Sequence, residues 1–416
     1  MRIAFVNQPW NRCPPRGIGS IALWTWEIAR RLAEAERTEV TVYAKRADDE
    51  VVEETIGGVR FRRFDVDRTG AFARFVERGY GFTRARLPLF ASHLHHPGYV
   101  MRAALDARAW GADVVHVHNF SQDVPVFRAL HPRAAVVLHM HCEWLSQLDR
   151  AVIGRRIAGT ALVAGCSDYI ANAIRGRFGP SYGGRVRAIY NGVDPGSARS
   201  GNARSSTSSP RLLFVGRLTP EKGVHVLVDA FDRVLEAFPD ATLDLVGPEA
   251  VTPRAYLVDR AGEHELACLR PFYAGSYRKS LGERLTPRAR ERTRFHGEVD
   301  HDAVGAYYRE ADLLVNPSLS ESFGMALIEA MAHDLPVVAT RIGGMPEIVV
   351  DGETGMLVEP NDAGALADAI ATLLRSAATR ASMGGAGRER AERLFAWDVI
   401  ARDVLEEYAG IHQRRT

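Results

Sequence analysis

"RLLFVGRLTPEKGVHVLVDAF", Arg211 to Phe231, carries strand, turn and helix in one run. "RLLFV" reads as a buried strand, Gly216 and Pro220 punctuate a turn, and "VHVLVDAFDRVLEAF" continues with helical spacing of its apolar residues. The same alternation extends in both directions. Before it stand "RIAFVN", "SIALWTWEIARRLAEA", "VTVYA", "DVVHVHN", "AAVVLHMH" and "TALVAGCS"; after it stand "ATLDLVG", "DLLVNPS", "FGMALIEAMA" and "PVVAT". Short apolar runs separated by amphipathic stretches predict parallel strands with crossover helices, an α/β fold.

The rhythm breaks once, at "DPGSARSGNARSSTSSP", Asp194 to Pro210, which is small, polar and aperiodic. It reads as a linker between two similar halves. The expected organisation is a first domain over 1–195, a linker over 196–210 and a second domain over 211–396. Helices are expected at Asp362–Arg375 and Arg380–Leu394, and a last one over 397–410 is expected to return to the first half. A chain of 416 residues suits two domains better than one.

Composition narrows the function. With 53 basic and 51 acidic residues, no global field marks nucleic acid as a partner. Cys13, Cys142, Cys166 and Cys268 are isolated, with neither metal-ligand spacing nor a disulfide framework, which fits a reducing cytosol. "MRIAFVNQPW" is too short for a signal sequence, and no run reaches about 18 apolar residues, so a cytoplasmic chain is expected. Two stretches depart from the alternation. Arg60 to Arg86 holds eight arginines against three acids, interleaved with aromatics, and reads as a helical excursion or as a patch for an acceptor or a membrane surface. Glu249 to Arg294 is too long for a simple connection and reads as a lid or flap.

The chemistry gathers in two segments. In "VGRLTPEKG", Arg217 and Lys222 follow a strand end, where open α/β sheets bind ligands, and offer a planar fork and a point charge to a diphosphate. Lysine occurs only at Lys45, Lys222 and Lys279, so its use here is selective. In "SESFGMALIE" a helix beginning near Ser322 or Phe323 would aim free N–H groups at an anion, with Gly324 permitting close approach. Glu321 would stand at the helix mouth and Glu329 two turns inside. Eight helical steps place their backbones roughly 12 Å apart, beyond the roughly 5–9.5 Å that separates the paired carboxyls of glycosidases. The two acids are better suited to different parts of one long ligand.

"VGRLTPEKG", "ESFGMALIE" and "NGVD" (Asn191 to Asp194), in this order and spacing, resemble retaining glycosyltransferases of glycosyltransferase family 4, which have the GT-B fold of two Rossmann-like domains facing across a cleft. The resemblance spans both halves and is weakest over 50–110 and 249–294. It implies a nucleotide-sugar donor in the second half and a hydroxyl acceptor in the first. Arg217 and Lys222 match the pair that neutralises the diphosphate, Glu321 the acid on donor-sugar hydroxyls, and Glu329 the acid on the ribose. The backbone of Phe323, Gly324 and Met325 matches the amides around phosphate and sugar. His139 matches the histidine facing the donor sugar, with His141 an extra. Gly17 and Gly19 match the glycine-rich loop, although the usual adjacent pair is here Gly-Ile-Gly. The resemblance implies no cofactor and no metal, with UDP expected before GDP on family frequency.

Rival readings rest on less. "GIGSIA" satisfies a dinucleotide fingerprint, but some ten residues separate it from the first strand, and only Asp48 and Asp49 follow strand two, which disfavours a nicotinamide oxidoreductase. A sugar-nucleotide epimerase on the same fold would need catalytic acids from both halves. A sugar-binding protein without activity would not need Arg217, Lys222 and Glu321 together. Asp65-Val66-Asp67 and the histidines His93, His95, His96, His116 and His118 suggest metal only superficially, since the alternation in "HVH" puts both rings on one strand face for packing.

Overall fold

The computed structural model describes residues 1–15, 19–66, 87–179, 185–195, 209–250, 258 and 266–415. The chain forms two compact units, Met1–Asn191 with Trp397–Thr416, and Gly192–Ala396. Residues 196–208 of the expected linker lie outside the described residues.

The first unit is built on strands β1 (Arg2–Val6), β2 (Glu39–Lys45), β3 (Glu53–Ile56), β4 (Val59–Phe64), β5 (Val114–His118), β6 (Ala135–Met140), β7 (Leu162–Gly165) and β8 (Val186–Ala188). Their order is β3-β4-β2-β1-β5-β6-β7-β8. All pairings are parallel except the β3–β4 hairpin at one edge. Strands β5, β6 and β7 are buried along their whole length, as expected of a parallel sheet covered on both faces. The helix Trp397–Gln413 completes this unit with Trp397, Ile400, Val404, Tyr408 and Ile411 buried.

The edge hairpin differs from the helical excursion expected at Arg60. In "VRFRRF" the buried positions alternate, Val59, Phe61 and Arg63, which is the period of a strand. Arg63 is therefore driven inside, where it meets Glu50 and Glu54, while Arg60 and Arg62 pair with Glu53. Three of the arginines offered as a surface patch are thus neutralised within the sheet, and 67–86 lies outside the described residues. Asp65 pairs with Arg46.

The second unit carries β9 (Arg211–Val215), β10 (Thr242–Val246), β11 (Thr293–Gly297), β12 (Leu313–Asn316), β13 (Val337–Thr340) and β14 (Gly355–Val358), all parallel in the order β11-β10-β9-β12-β13-β14. The helix Val224–Ala237 buries Val224, Leu227, Val228, Phe231, Val234 and Leu235, a stripe at helical spacing. It packs beside the helix Ala363–Arg375, whose Leu366, Ile370, Leu373 and Leu374 face the same core. Each such side chain contributes roughly 1.5–3 kcal/mol on burial. Asp362 caps the second helix by accepting from Ala365 N at 2.8 Å. Part of the expected lid is helical, at Tyr277–Arg284 and Pro287–Arg292, while 251–257 and 259–265 lie outside the described residues.

In each sheet the chain starts in the middle, runs to one side and returns to the other. The two switch points fall between β1 and β5 and between β9 and β12. The carboxyl edge at a switch point is the usual ligand position in such sheets. Among the described residues no helix is long and apolar enough to cross a membrane.

Candidate functional site

The switch point of the second unit brings Lys222 and Glu321 together. Lys222 closes the 3-10 turn Pro220–Lys222 after β9, and Glu321 lies in the loop after β12. The two loops are joined through the backbone, with Glu221 O accepting from Leu319 N at 2.8 Å and from Ser320 N at 3.3 Å. Gly223 makes this approach available. It sits at φ 65°, and a Cβ there would stand 2.0 Å from Pro317 O. The Lys222 ammonium then forms an ion pair with Glu321 Oε2, both side chains being largely buried. Glu321 is fixed from behind. Its carbonyl accepts from Gly344 N at 3.1 Å, and Ser318 Oγ lies 3.5 Å from Oε2 while donating to Asn316 Oδ1 at 2.7 Å.

Arg217 remains on the rim with 41% of its side chain exposed, 3.6 Å from the buried carboxylate of Glu221. That carboxylate holds the guanidinium near Lys222 while leaving it accessible to an anion. Two cations and one carboxylate thus gather at the switch point from adjacent loops.

The following helix is Met325–Ala332, later than the expected start at Ser322 or Phe323. Gly324, at φ 117°, is its N-cap and cannot be helical there, so the chain turns before the helix begins. The Phe323 side chain is buried against Phe395, edge to face at 5.7 Å, so what it offers a ligand is backbone. Glu329, one turn into the helix, accepts from the Tyr308 hydroxyl at 2.6 Å. Tyr308 is itself buried and stacked on His333 at 5.2 Å. Glu329 is therefore an oriented acceptor rather than a freely solvated acid.

The first unit holds a buried histidine cluster. His139 is fully buried, its ring against Trp24 and His141, and Nε2 donates to Ile189 O at 3.1 Å. A carbonyl only accepts, so the proton is on Nε2 and Nδ1 carries a lone pair. Partners assign two further tautomers. Thr25 Oγ1 donates to Ile21 O at 2.8 Å and so accepts from His118 Nε2 at 3.1 Å. His118 Nδ1 then accepts from His141 Nε2 at 3.0 Å, leaving the lone pair of His141 on Nδ1. Burial pushes His116, His118 and His139 far down from the usual imidazole range, and His141 to about 3. All four are neutral at working pH.

Ring nitrogens of His116, His118 and His139 lie within 4.8 Å of one another, the described group that could hold a metal ion. Both nitrogens of His118 and Nε2 of His139 are already engaged. The group also has no carboxylate or thiolate to offset a buried dication. Gly17 lies outside the described residues. Gly19 precedes the helix Ser20–Glu34 with extended backbone at φ 175°, and a Cβ there would meet only Ala22 Cβ at 3.8 Å.

Sequence reasoning missed Ser318, Asn316, Tyr308 and Gly343. Ser318 and Asn316 stand in "NPS", within five residues of Glu321, whereas Tyr308 meets Glu329 from the preceding helix and Gly343 meets Glu321 from the loop after β13, contacts that only the fold creates.

Residues 21–197 match the family described as Glycosyltransferase Family 4, and residues 200–390 match glycosyl transferases group 1. The chain is 30% identical over 316 residues to the glycogen synthase of Mycobacterium tuberculosis (strain CDC 1551 / Oshkosh), covering 72% of this chain and 69% of that protein. The chain belongs to glycosyltransferase family 4. Another relative is the D-inositol 3-phosphate glycosyltransferase of Corynebacterium glutamicum (strain R), 34% identical over 240 residues, which are 54% of this chain and 51% of the relative. The family 4 fold extends over the whole chain. Sucrose-phosphate synthase from Thermosynechococcus elongatus superposes with a TM-score of 0.73 at 23% identity, covering 99% of each chain. An Anabaena protein solved in complex with UDP and glucose gives 0.68 at 22% identity, covering 98% of this chain and 99% of its own. The two parallel-sheet units of this family 4 glycosyltransferase are thus those of the GT-B fold.

Proposed function

We propose that this glycosyltransferase moves a sugar from a nucleotide-diphosphate donor to an acceptor hydroxyl with retention of anomeric configuration. The observation that carries the reading is the Lys222–Glu321 ion pair at the switch point of the second unit, with Arg217 on its rim. Arg217 and Lys222 neutralise the diphosphate, and the backbone of Phe323, Gly324 and Met325 lines the phosphate and sugar. Glu321 accepts from donor-sugar hydroxyls and Glu329 from the ribose. In the first unit Gly17 and Gly19 are the residues assigned to the donor phosphates. His139 is the residue assigned to the donor sugar.

In the reaction the bond from the anomeric carbon to the diphosphate breaks, and the acceptor oxygen bonds to the same face. The acceptor proton passes to the leaving phosphate, whose charge Arg217 and Lys222 stabilise. The two cations supply this stabilisation without a metal ion. UDP is the first nucleotide to test and GDP the second, a choice supported by the Anabaena protein solved with UDP and glucose.

Thermal unfolding with UDP, GDP, ADP and TDP tests the reading, followed by hydrolysis of the matching sugar nucleotides. One nucleotide is expected to raise Tm strongly, with the shift lost in Lys222→Ala. A shift by a nicotinamide dinucleotide alone would transfer the assignment to the "GIGSIA" loop.

A further inference from the structure

The switch point of the first unit carries its own constellation. Trp10 stands in the loop after β1 and Phe120 in the loop after β5, and their rings meet at 5.4 Å with an 88° interplanar angle. His95 and His96 reach the same indole at 5.9 and 6.3 Å, and His95 also lies 5.4 Å from Phe120. Trp144, after β6, backs Phe120 at 6.0 Å.

The indole is gripped yet open. Of the six tryptophans Trp10 alone is exposed, at 43%. Core filling does not explain an aromatic ring kept in water by three T-shaped neighbours. The backbone around it is also unusual, since His96 and Asn119 take left-handed φ of 52° and 60° without being glycine. Such strain persists where surrounding structure enforces it, commonly at ligand sites. Asn119 in turn ties the next loop by accepting from His141 N at 2.7 Å.

The chemistry of the patch selects a ligand. Burial, with His96 adding to it, pushes His95 down to about 4, so its imidazole is neutral at working pH. Its Nε2 is buried behind the indole without a hydrogen-bond partner among the described residues, so the ring serves the patch as a neutral aromatic wall. The patch therefore offers an exposed, uncharged aromatic face, which suits a ring with an apolar C–H face. Among the described residues no guanidinium or ammonium stands over the Trp10 ring for an anionic headgroup.

We infer that Trp10, backed by Phe120, His95 and His96, stacks a pyranose ring of the acceptor, so that the acceptor is a saccharide. This rests on reading the chain as a sugar transferase whose first unit holds the acceptor.

Saturation-transfer NMR on the full chain tests it with methyl α-D-glucopyranoside, methyl α-D-mannopyranoside, maltotriose and glycerol as probes. Ring protons of at least one saccharide are expected to receive saturation in the wild type and in Trp10→Phe, and to lose it in Trp10→Ala. Glycerol, having no ring face, is expected to give none. The Tm shift by UDP reports whether Trp10→Ala is folded with its donor site intact, and the acceptor KM in transfer is expected to rise about tenfold in that variant. Undiminished saturation in Trp10→Ala, silence of all three saccharides with the wild type, or an equal response to glycerol would overturn the platform. A wild type that no nucleotide shifts, but whose saccharide signal depends on Trp10, would remove the donor reading and leave the platform standing.

Discussion

A methyl group added at Gly343 would stand 1.8 Å from the carbonyl oxygen of Glu321. The glycine, at φ 57°, is what lets the loop after β13 close behind that acid. Gly343→Ala is expected to destabilise by on the order of 3 kcal/mol, combining left-handed strain with backbone displacement. Gly352→Ala is the matched control. Gly352 has φ 78° with nothing near its Cβ position, so only strain of about 1 kcal/mol is expected. Urea unfolding of the two variants decides it, and equal losses would mean that contact with Glu321 is irrelevant.

Glu321→Gln and Lys222→Ala each remove one partner of the ion pair at the switch point. Turnover is expected to fall by about a hundredfold or more, and Tm is expected to fall as well, because removing one partner of a largely buried pair leaves the other uncompensated, at a cost of up to about 3–5 kcal/mol. Lys222→Arg should not restore full rate, since a planar fork does not replace a point charge. Wild-type kcat in any of the three would place the reaction elsewhere.

Tyr308→Phe keeps the ring on His333 and deletes only the hydroxyl that orients Glu329. If Glu329 holds the ribose, the donor KM should rise about fivefold to tenfold while kcat holds, a loss of about 1–1.4 kcal/mol, which is part of the roughly 1.5–3 kcal/mol carried by a hydrogen bond to a charge. Wild-type discrimination between UDP and 2′-deoxy-UDP should also narrow. Unchanged KM and discrimination would make the contact purely structural.

The histidine cluster predicts acid sensitivity. In the unfolded chain each imidazole takes a proton near 6.5, whereas burial holds the folded value of His141 at about 3 and those of His116, His118 and His139 well below 6.5. The unfolded state therefore binds more protons below pH 6.5, and the stability present above that pH is lost as pH falls toward 3. Each histidine contributes a slope of about 1.4 kcal/mol per pH unit. Unfolding free energies at pH 7.5 and 5 should differ by several kcal/mol, about the sum over the cluster. Equal values at the two pH values would show that the cluster is protonated or hydrated in the fold.

Local signals were legible and distant contacts were not. The helix after Asp362 could be read from its cap and periodicity and runs Ala363–Arg375; the one expected over 397–410 runs Trp397–Gln413. Arg217, Lys222, Glu321 and Glu329 stood out because residue type and neighbouring glycines mark a strand end or a turn. That Lys222 touches Glu321, 99 residues away, follows only from the sheet order. The helix start was misplaced because Gly324 was read as a small residue for close approach rather than as a left-handed stop. Arg60, Arg62 and Arg63 misled because charge suggested solvent, whereas the alternation in "VRFRRF" carried the strand.

The first unit is assembled from two stretches of chain, and the helix Trp397–Gln413 is the later one. On the ribosome the whole of Gly192–Ala396 emerges before the segment that covers Tyr408's place beside His116 and Phe5. The second unit, though encoded later than most of the first, is therefore complete before it. Until the helix Trp397–Gln413 is made, the nascent first unit exposes an apolar seam to chaperones, and the order of maturation runs opposite to the order of the strands.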